Sequence, residues 1–218
     1  MKDICCLAAA LIDLISPTVL VILWYKKTGA RFFPAIAAFL VCFPVFFVGN
    51  AIRSGFDHSN FIAFYIQQGL LFGVFEEGTK YLMMRYFLTS YDNRKDAVTY
   101  SIGHAAYEGL GSGISCIGLI GTDRASTDIL FFHIWGVVTG AISCAAVAVI
   151  IFYGIQKGKS IVTLPAVILA HAFMNSSHGI FVDSFGTILR AVLMAGIYFV
   201  GYRCWKSLRS PFEEMSET

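Results

Sequence analysis

Charge is what this chain most lacks. Asp, Glu, Lys and Arg make up 14% of its 218 residues, against about 25% in an ordinary soluble domain. Hydrophobic residues reach 57%, above the roughly 45–50% of soluble proteins, and the mean hydropathy is +0.70. A soluble globule is therefore excluded. So is disorder, because a chain this apolar cannot remain solvated as coil. The formal net charge of +2 is too small and too scattered to attract a nucleic acid.

Other absences narrow the field further. No CxxC or HxxxH zinc pattern occurs, and the six cysteines have no regular spacing. Cys42, Cys116 and Cys144 lie inside apolar runs, where cysteine is expected as a small packing residue. No GxxxxGK[ST] loop is present, which excludes that phosphate-binding device. The apolar run after Lys2 continues to Tyr25 without an AxA-type cleavage site, so it reads as a retained first span rather than a signal peptide. No segment alternates with the ten-residue rhythm of a barrel strand.

What remains is an all-α polytopic membrane bundle. Cutting at charge, Pro and Gly leaves seven apolar segments: 4–25, 32–52, 61–88, 97–121, 128–154, 161–181 and 184–205. Each approaches the ~20 residues needed to cross a bilayer. Eleven basic residues fall in loops on one side, from Lys26, Lys27 and Arg31 through Arg85, Arg94, Lys95, Lys157 and Lys159 to Arg203, Lys206 and Arg209. Only Lys2, Arg53 and Arg124 fall on the other. The positive-inside rule then puts the N-terminus outside and the C-terminus in the cytoplasm. Residues 1–209 read as one transmembrane domain, with 210–218 a short acidic, disordered cytosolic tail.

Ionisable groups inside hydrocarbon are expensive, so each is a candidate for function. Span three carries Glu76, Glu77 and Lys80 on one helical stripe with Gly73 and Met84. Span four carries His104 and Glu108 one turn apart. Span six carries His171, Asn175 and His178 on a common face. Counted from the cytoplasmic ends at 1.5 Å per residue, Glu77, Glu108 and His171 all lie roughly 15 Å deep. Interhelical glue explains one such pair; five or more groups at one depth exceed what glue requires.

The chemistry of that layer suits Zn²⁺. Imidazole and carboxylate are its ligands, and a catalytic site takes three protein ligands plus water. A spare glutamate serves as general base toward that water. Asn175 is placed to donate to an oxyanion. Lys80, three and four residues after the two glutamates, neutralises one of them.

Weaker candidates surround this set. Asp13, just before Pro17, is a site neighbour that satisfies backbone groups near a kink or pairs with Lys80 or Arg190. His178 sits toward the outer leaflet. His133, near the outer end of span five, reads as interfacial or packing. Gly109, Gly111, Gly113 and Ser112 form a small face on span four that permits close helix packing.

The ordered set Glu-Glu-x-x-Lys at 76–80, Gly-His-x-x-x-Glu at 103–108 and His-x-x-x-Asn at 171–175 resembles the motifs of the YhfC-type intramembrane metalloprotease family. More distantly it is similar to PrsW proteases and the CAAX-protease-like CPBP superfamily. The resemblance covers the core of about 61–181. It implies a multi-pass peptidase of a bacterial or archaeal plasma membrane, with Glu76 activating water and Glu77 supporting it. His104 or Glu108, with His171, would hold a metal or polarise the scissile carbonyl. The partners implied are the lipid bilayer and a membrane-embedded or membrane-proximal peptide. CPBP proteases have Arg after the glutamate pair, whereas here the base is Lys80, as in PrsW. Two other classes compete with the peptidase: a non-catalytic membrane scaffold or chaperone, and a proton-coupled carrier. The chain shows no internal repeat of broken helices, the usual pointer to a carrier.

Overall fold

The computed structural model describes residues 1–91, 93–181 and 184–208. The expected acidic tail 210–218 and Arg209 lie outside the described residues. Among those described there are seven α-helices and no strand: α1 (Lys2–Thr28), α2 (Phe33–Arg53), α3 (Phe61–Leu82), α4 (Arg94–Leu119), α5 (Asp128–Gln156), α6 (Ser160–Ile180) and α7 (Ser184–Ser207). Each expected segment has its helix, with limits within three residues except at the end of the third. There the α-helix stops at Leu82 and continues as a π-helical turn, Met83–Phe87, closed by Leu88 N–H donating to Met83 O at 2.8 Å.

Helices α1, α2, α5, α6 and α7 are long and apolar enough to cross a membrane. The remaining two, α3 and α4, are long enough but more polar. Gln67, Gln68, Glu76, Glu77 and Lys80 dilute α3, and α4 starts on Arg94-Lys95-Asp96 and goes on to His104 and Glu108. These two helices are the ones that carry most of the candidate groups.

The chain divides into two compact units. The first comprises Met1–Cys42 and Lys95–Ala145, the second Phe43–Arg94 and the described residues from Ala146 onward; α2 and α5 contribute to both.

In the first unit, missing side chains set the helix spacing. A Cβ on Gly109 would lie 2.6 Å from Asp13 O, and one on Gly113 would lie 3.0 Å from Leu14 Cγ. These glycines, four apart, form the strip of α4 on which α1 rests. Gly111 meets nothing within 4 Å, so the small face expected over 109–113 is narrower than the sequence suggests. Pro17, inside α1, has no N–H for the Asp13 carbonyl four residues earlier. At one end of the unit, Asp96 accepts from Arg31 N–H at 3.2 Å and from its guanidinium Nε at 3.1 Å. Trp24 Nε1 donates to Lys95 O at 3.2 Å. At the other end, Gly121 N–H donates to Asp3 Oδ1 at 2.9 Å.

In the second unit, α6 lies along a glycine strip of α3. A Cβ on Gly73 would come 2.8 Å from Ile168 O and 3.2 Å from Ala172 N, and one on Gly69 would run into Ser176 Oγ and Ala172 O. The Ser176 hydroxyl lies 2.9 Å from Tyr65 O and 2.7 Å from Ala172 O, both acceptors for it. Phe72 turns to the other side, stacking on Phe46 of α2 with ring centroids 5.7 Å apart. Arg190 of α7 donates to Ser177 O at 3.0 Å and Phe181 O at 2.8 Å. It thereby satisfies the Phe181 carbonyl just past the end of α6 and gives Ser177 O, which already accepts from Phe181 N–H at 3.0 Å, a second donor.

Candidate active site

The glycine strip determines what lies next along α3. One turn beyond Gly73, where α6 is held at backbone contact, come Glu76 and Glu77, and Lys80 follows a turn later. All three are buried, Glu77 to 0% and Lys80 to 1% exposure. Such groups survive in an apolar interior only when charge and hydrogen bonds are matched. Lys80 Nζ donates to Glu77 Oε1 at 2.7 Å. The same oxygen lies 2.6 Å from His171 Nδ1, and the other ring nitrogen, Nε2, lies 3.5 Å from Glu76 Oε2. The imidazole of α6 therefore spans the two glutamates of α3, one nitrogen to each.

That arrangement orients His171. A carboxylate accepts only, so a Glu77 ionised against Lys80 requires Nδ1 to be the protonated nitrogen. Nε2 is left facing Glu76. Histidine ligands are commonly held this way, by a carboxylate behind the ring. Glu77 Oε2 is buried with no hydrogen-bond partner among the described residues, an orphaned acceptor of the kind a nearby cation satisfies. Glu76, Glu77 and His171 present donor atoms within 4.8 Å of one another. One imidazole and two carboxylates fit a zinc-class ion by ligand chemistry.

The other sequence candidates are placed as follows. Asn175, one turn beyond His171, is half-buried. His178, the weaker choice on α6, is exposed. In the first unit, His104 Nε2 lies 3.4 Å from Glu108 Oε1, as their one-turn spacing requires. On the opposite side of that ring, Cys42 Sγ lies 3.2 Å from Nδ1. Asp13 pairs with His133, Oδ2 to Nδ1 at 2.6 Å.

The sequence reads Cys42 and Cys116 as packing residues and His133 as interfacial or packing. Each cysteine sits beside a histidine of a different helix, and no local spacing signals such a pair.

Residues 29–120 match the family model of the YhfC intramembrane metalloprotease. The match covers somewhat under half of the 218 residues. It takes in both polar motifs of α3 and α4, and ends before α5, so His171 and Asn175 lie beyond it. No curated protein and no solved structure matches the chain. At a coarse level, the YhfC similarity supports a membrane protease of the metal-dependent kind, and five helices apolar enough to span agree with an integral membrane protein.

Proposed function

We propose that this chain is a seven-span intramembrane endopeptidase, N-terminus outside, that hydrolyses a membrane-embedded or membrane-proximal peptide with a glutamate-activated water. The observation that carries the reading is the buried Glu76–His171–Glu77 bridge, with Lys80 holding one end. Glue between two helices needs one ion pair. Here a second carboxylate is kept at the open nitrogen of an oriented imidazole, which is the pairing hydrolysis uses.

Each residue then has a task. Lys80 and the Nδ1–H of His171 keep Glu77 ionised, and Glu77 in turn fixes the ring. Glu76 is the general base: it takes a proton from the attacking water and returns it to the departing amine. Asn175 supplies an amide N–H to the oxyanion as the carbonyl becomes tetrahedral. His171 Nε2 is the ligand on α6, and by their motif alone His104 and Glu108 are further ligands. Bound Zn²⁺ would supply Lewis-acid polarisation and a more acidic water.

Two measurements test this. Metal content of detergent-purified protein, by mass spectrometry, should show zinc in the wild type and less of it in His171→Ala and Glu108→Gln. Mapping of new peptide N-termini in membranes from expressing cells should show products that vanish with Glu76→Gln. A folded wild type that binds no zinc when supplied would refute the metal assignment, and cleavage that persists in folded Glu76→Gln would refute Glu76 as the base.

A further inference from the structure

The first unit contains a second convergence of metal-ligating groups that the peptidase reading does not use. Asp13 on α1, Cys116 on α4 and His133 on α5 bring a carboxylate oxygen, a thiol sulfur and a ring nitrogen within 4.8 Å of one another. Asp13 and Cys116 are buried to 3% and 1% exposure. The three residues come from three helices at a point where the surroundings are otherwise small and apolar, Cys116 packing with Ala9 and Ala10.

From these residues we infer a separate binding site for a divalent zinc-class cation, with Asp13, Cys116 and His133 as its ligands. The sulfur–nitrogen separations are in the range such a site needs, whereas Asp13 Oδ2 and His133 Nδ1, at 2.6 Å, are hydrogen-bonded and must part to about 3.3 Å to share a tetrahedral ion. Cys116 Sγ lies 3.3 Å from Nε2 and 3.8 Å from Nδ1 of His133. Tetrahedral Zn–S and Zn–N bonds of about 2.3 and 2.05 Å put sulfur and nitrogen about 3.6 Å apart. Nδ1 is the nitrogen common to the set, with Asp13 Oδ2 at 2.6 Å and Ser112 Oγ at 3.4 Å. Loading would replace the Asp13–His133 hydrogen bond with a bond from each residue to the cation.

Charge favours the same reading. With Asp13 and Cys116 both ionised and His133 neutral, a divalent ion brings the cluster to neutrality, the condition for burying it among apolar helices. Three protein ligands leave a fourth position. A cavity of about 300 Å³ lined by Asp13, Glu108, Ser112 and His133, with Cys116 behind its wall, has room for water there and an approach for the ion. The site clamps α1, α4 and α5 at one point, and its thiolate distinguishes it from the Glu76–His171 cluster, whose donors are oxygen and nitrogen.

Sulfur makes the inference testable apart from the peptidase proposal. The full-length protein in detergent is titrated with Co²⁺, and the near-ultraviolet thiolate-to-cobalt charge-transfer band is recorded. The band should be present in the wild type and in Glu76→Gln/His171→Ala, which removes the other cluster. It should also survive in Cys42→Ser, since Cys42 lies beside a different histidine. It should disappear in Cys116→Ser and weaken in Asp13→Asn and His133→Gln, with cobalt affinity at this site reduced about 100-fold or more, given that even outer partners contribute about 10- to 100-fold. No band in folded wild type would overturn the site, leaving a metal-free hydrogen-bonded cluster. A band lost with Cys42→Ser and kept with Cys116→Ser would overturn the ligand assignment. Loss of zinc from the Glu76 and His171 variants with the band intact bears on the peptidase reading alone.

Discussion

His171 Nδ1 and Lys80 Nζ converge on one oxygen, Glu77 Oε1, at 2.6 and 2.7 Å. Two donors from two helices thus share an acceptor that is fully buried. Removing the carboxylate charge strands the ammonium. Glu77→Gln should therefore lower stability by about 3–5 kcal/mol, the usual cost of breaking a buried pair from one side. Glu77→Gln/Lys80→Met should recover most of that loss, because neither charge remains. Thermal unfolding in detergent of the single and double variants measures this; equal losses in the two would show that Lys80 does not depend on Glu77.

The close approach of α3 and α6 rests on a missing methyl. Gly73→Ala places a Cβ 2.8 Å from Ile168 O and should cost about 1–3 kcal/mol, as overpacking does. It should also reduce bound zinc by moving His171 away from the glutamates. Gly78→Ala, five residues along the same helix, meets nothing within 4 Å and should be neutral or slightly stabilising. Parallel thermal melts and metal analysis of the two variants check the contrast.

Topology has its own test. With the N-terminus outside, the segment around Ser59 faces out and that around Lys157 faces the cytoplasm. A membrane-impermeant maleimide should label Ser59→Cys in intact cells and Lys157→Cys only after permeabilisation, each compared with the parent chain and its native cysteines. The reverse pattern would invert the orientation.

Much of the fold was legible because helix length and apolarity are local properties. Seven helices stand where seven runs were expected, and the ends differ mainly where backbone detail intervenes, as in the π-turn after Leu82. Part of the polar cluster was legible for the same reason: spacings of three and four put Glu76, Glu77 and Lys80 on one stripe, and depth counting put His171 at the level of Glu77. What was not legible depended on contacts between distant segments. Nothing near Cys116 announces His133, and nothing near Asp13, for which Lys80 and Arg190 were the expected partners, announces the hydrogen bond to His133 that the packing of α1, α4 and α5 gives it. Gly73 was legible as a member of the polar stripe, but its pairing with Gly69 as a contact strip was not, because a glycine shows its packing role only when a neighbouring helix is seen to touch it.

The π-turn at Met83–Phe87 has a consequence for how this part of the chain tolerates length changes. A π-turn holds one residue more than the α-turn it replaces. Deleting a single residue there would convert the turn to α-helix, and the loop that follows would absorb the change. Glu76, Glu77 and Lys80 would keep their rotation about the α3 axis. The same deletion before Gly73 would swing them by about 100° relative to the preceding turn. The short segment after Leu82 thus acts as slack, and insertions or deletions that spare the polar stripe should be found there.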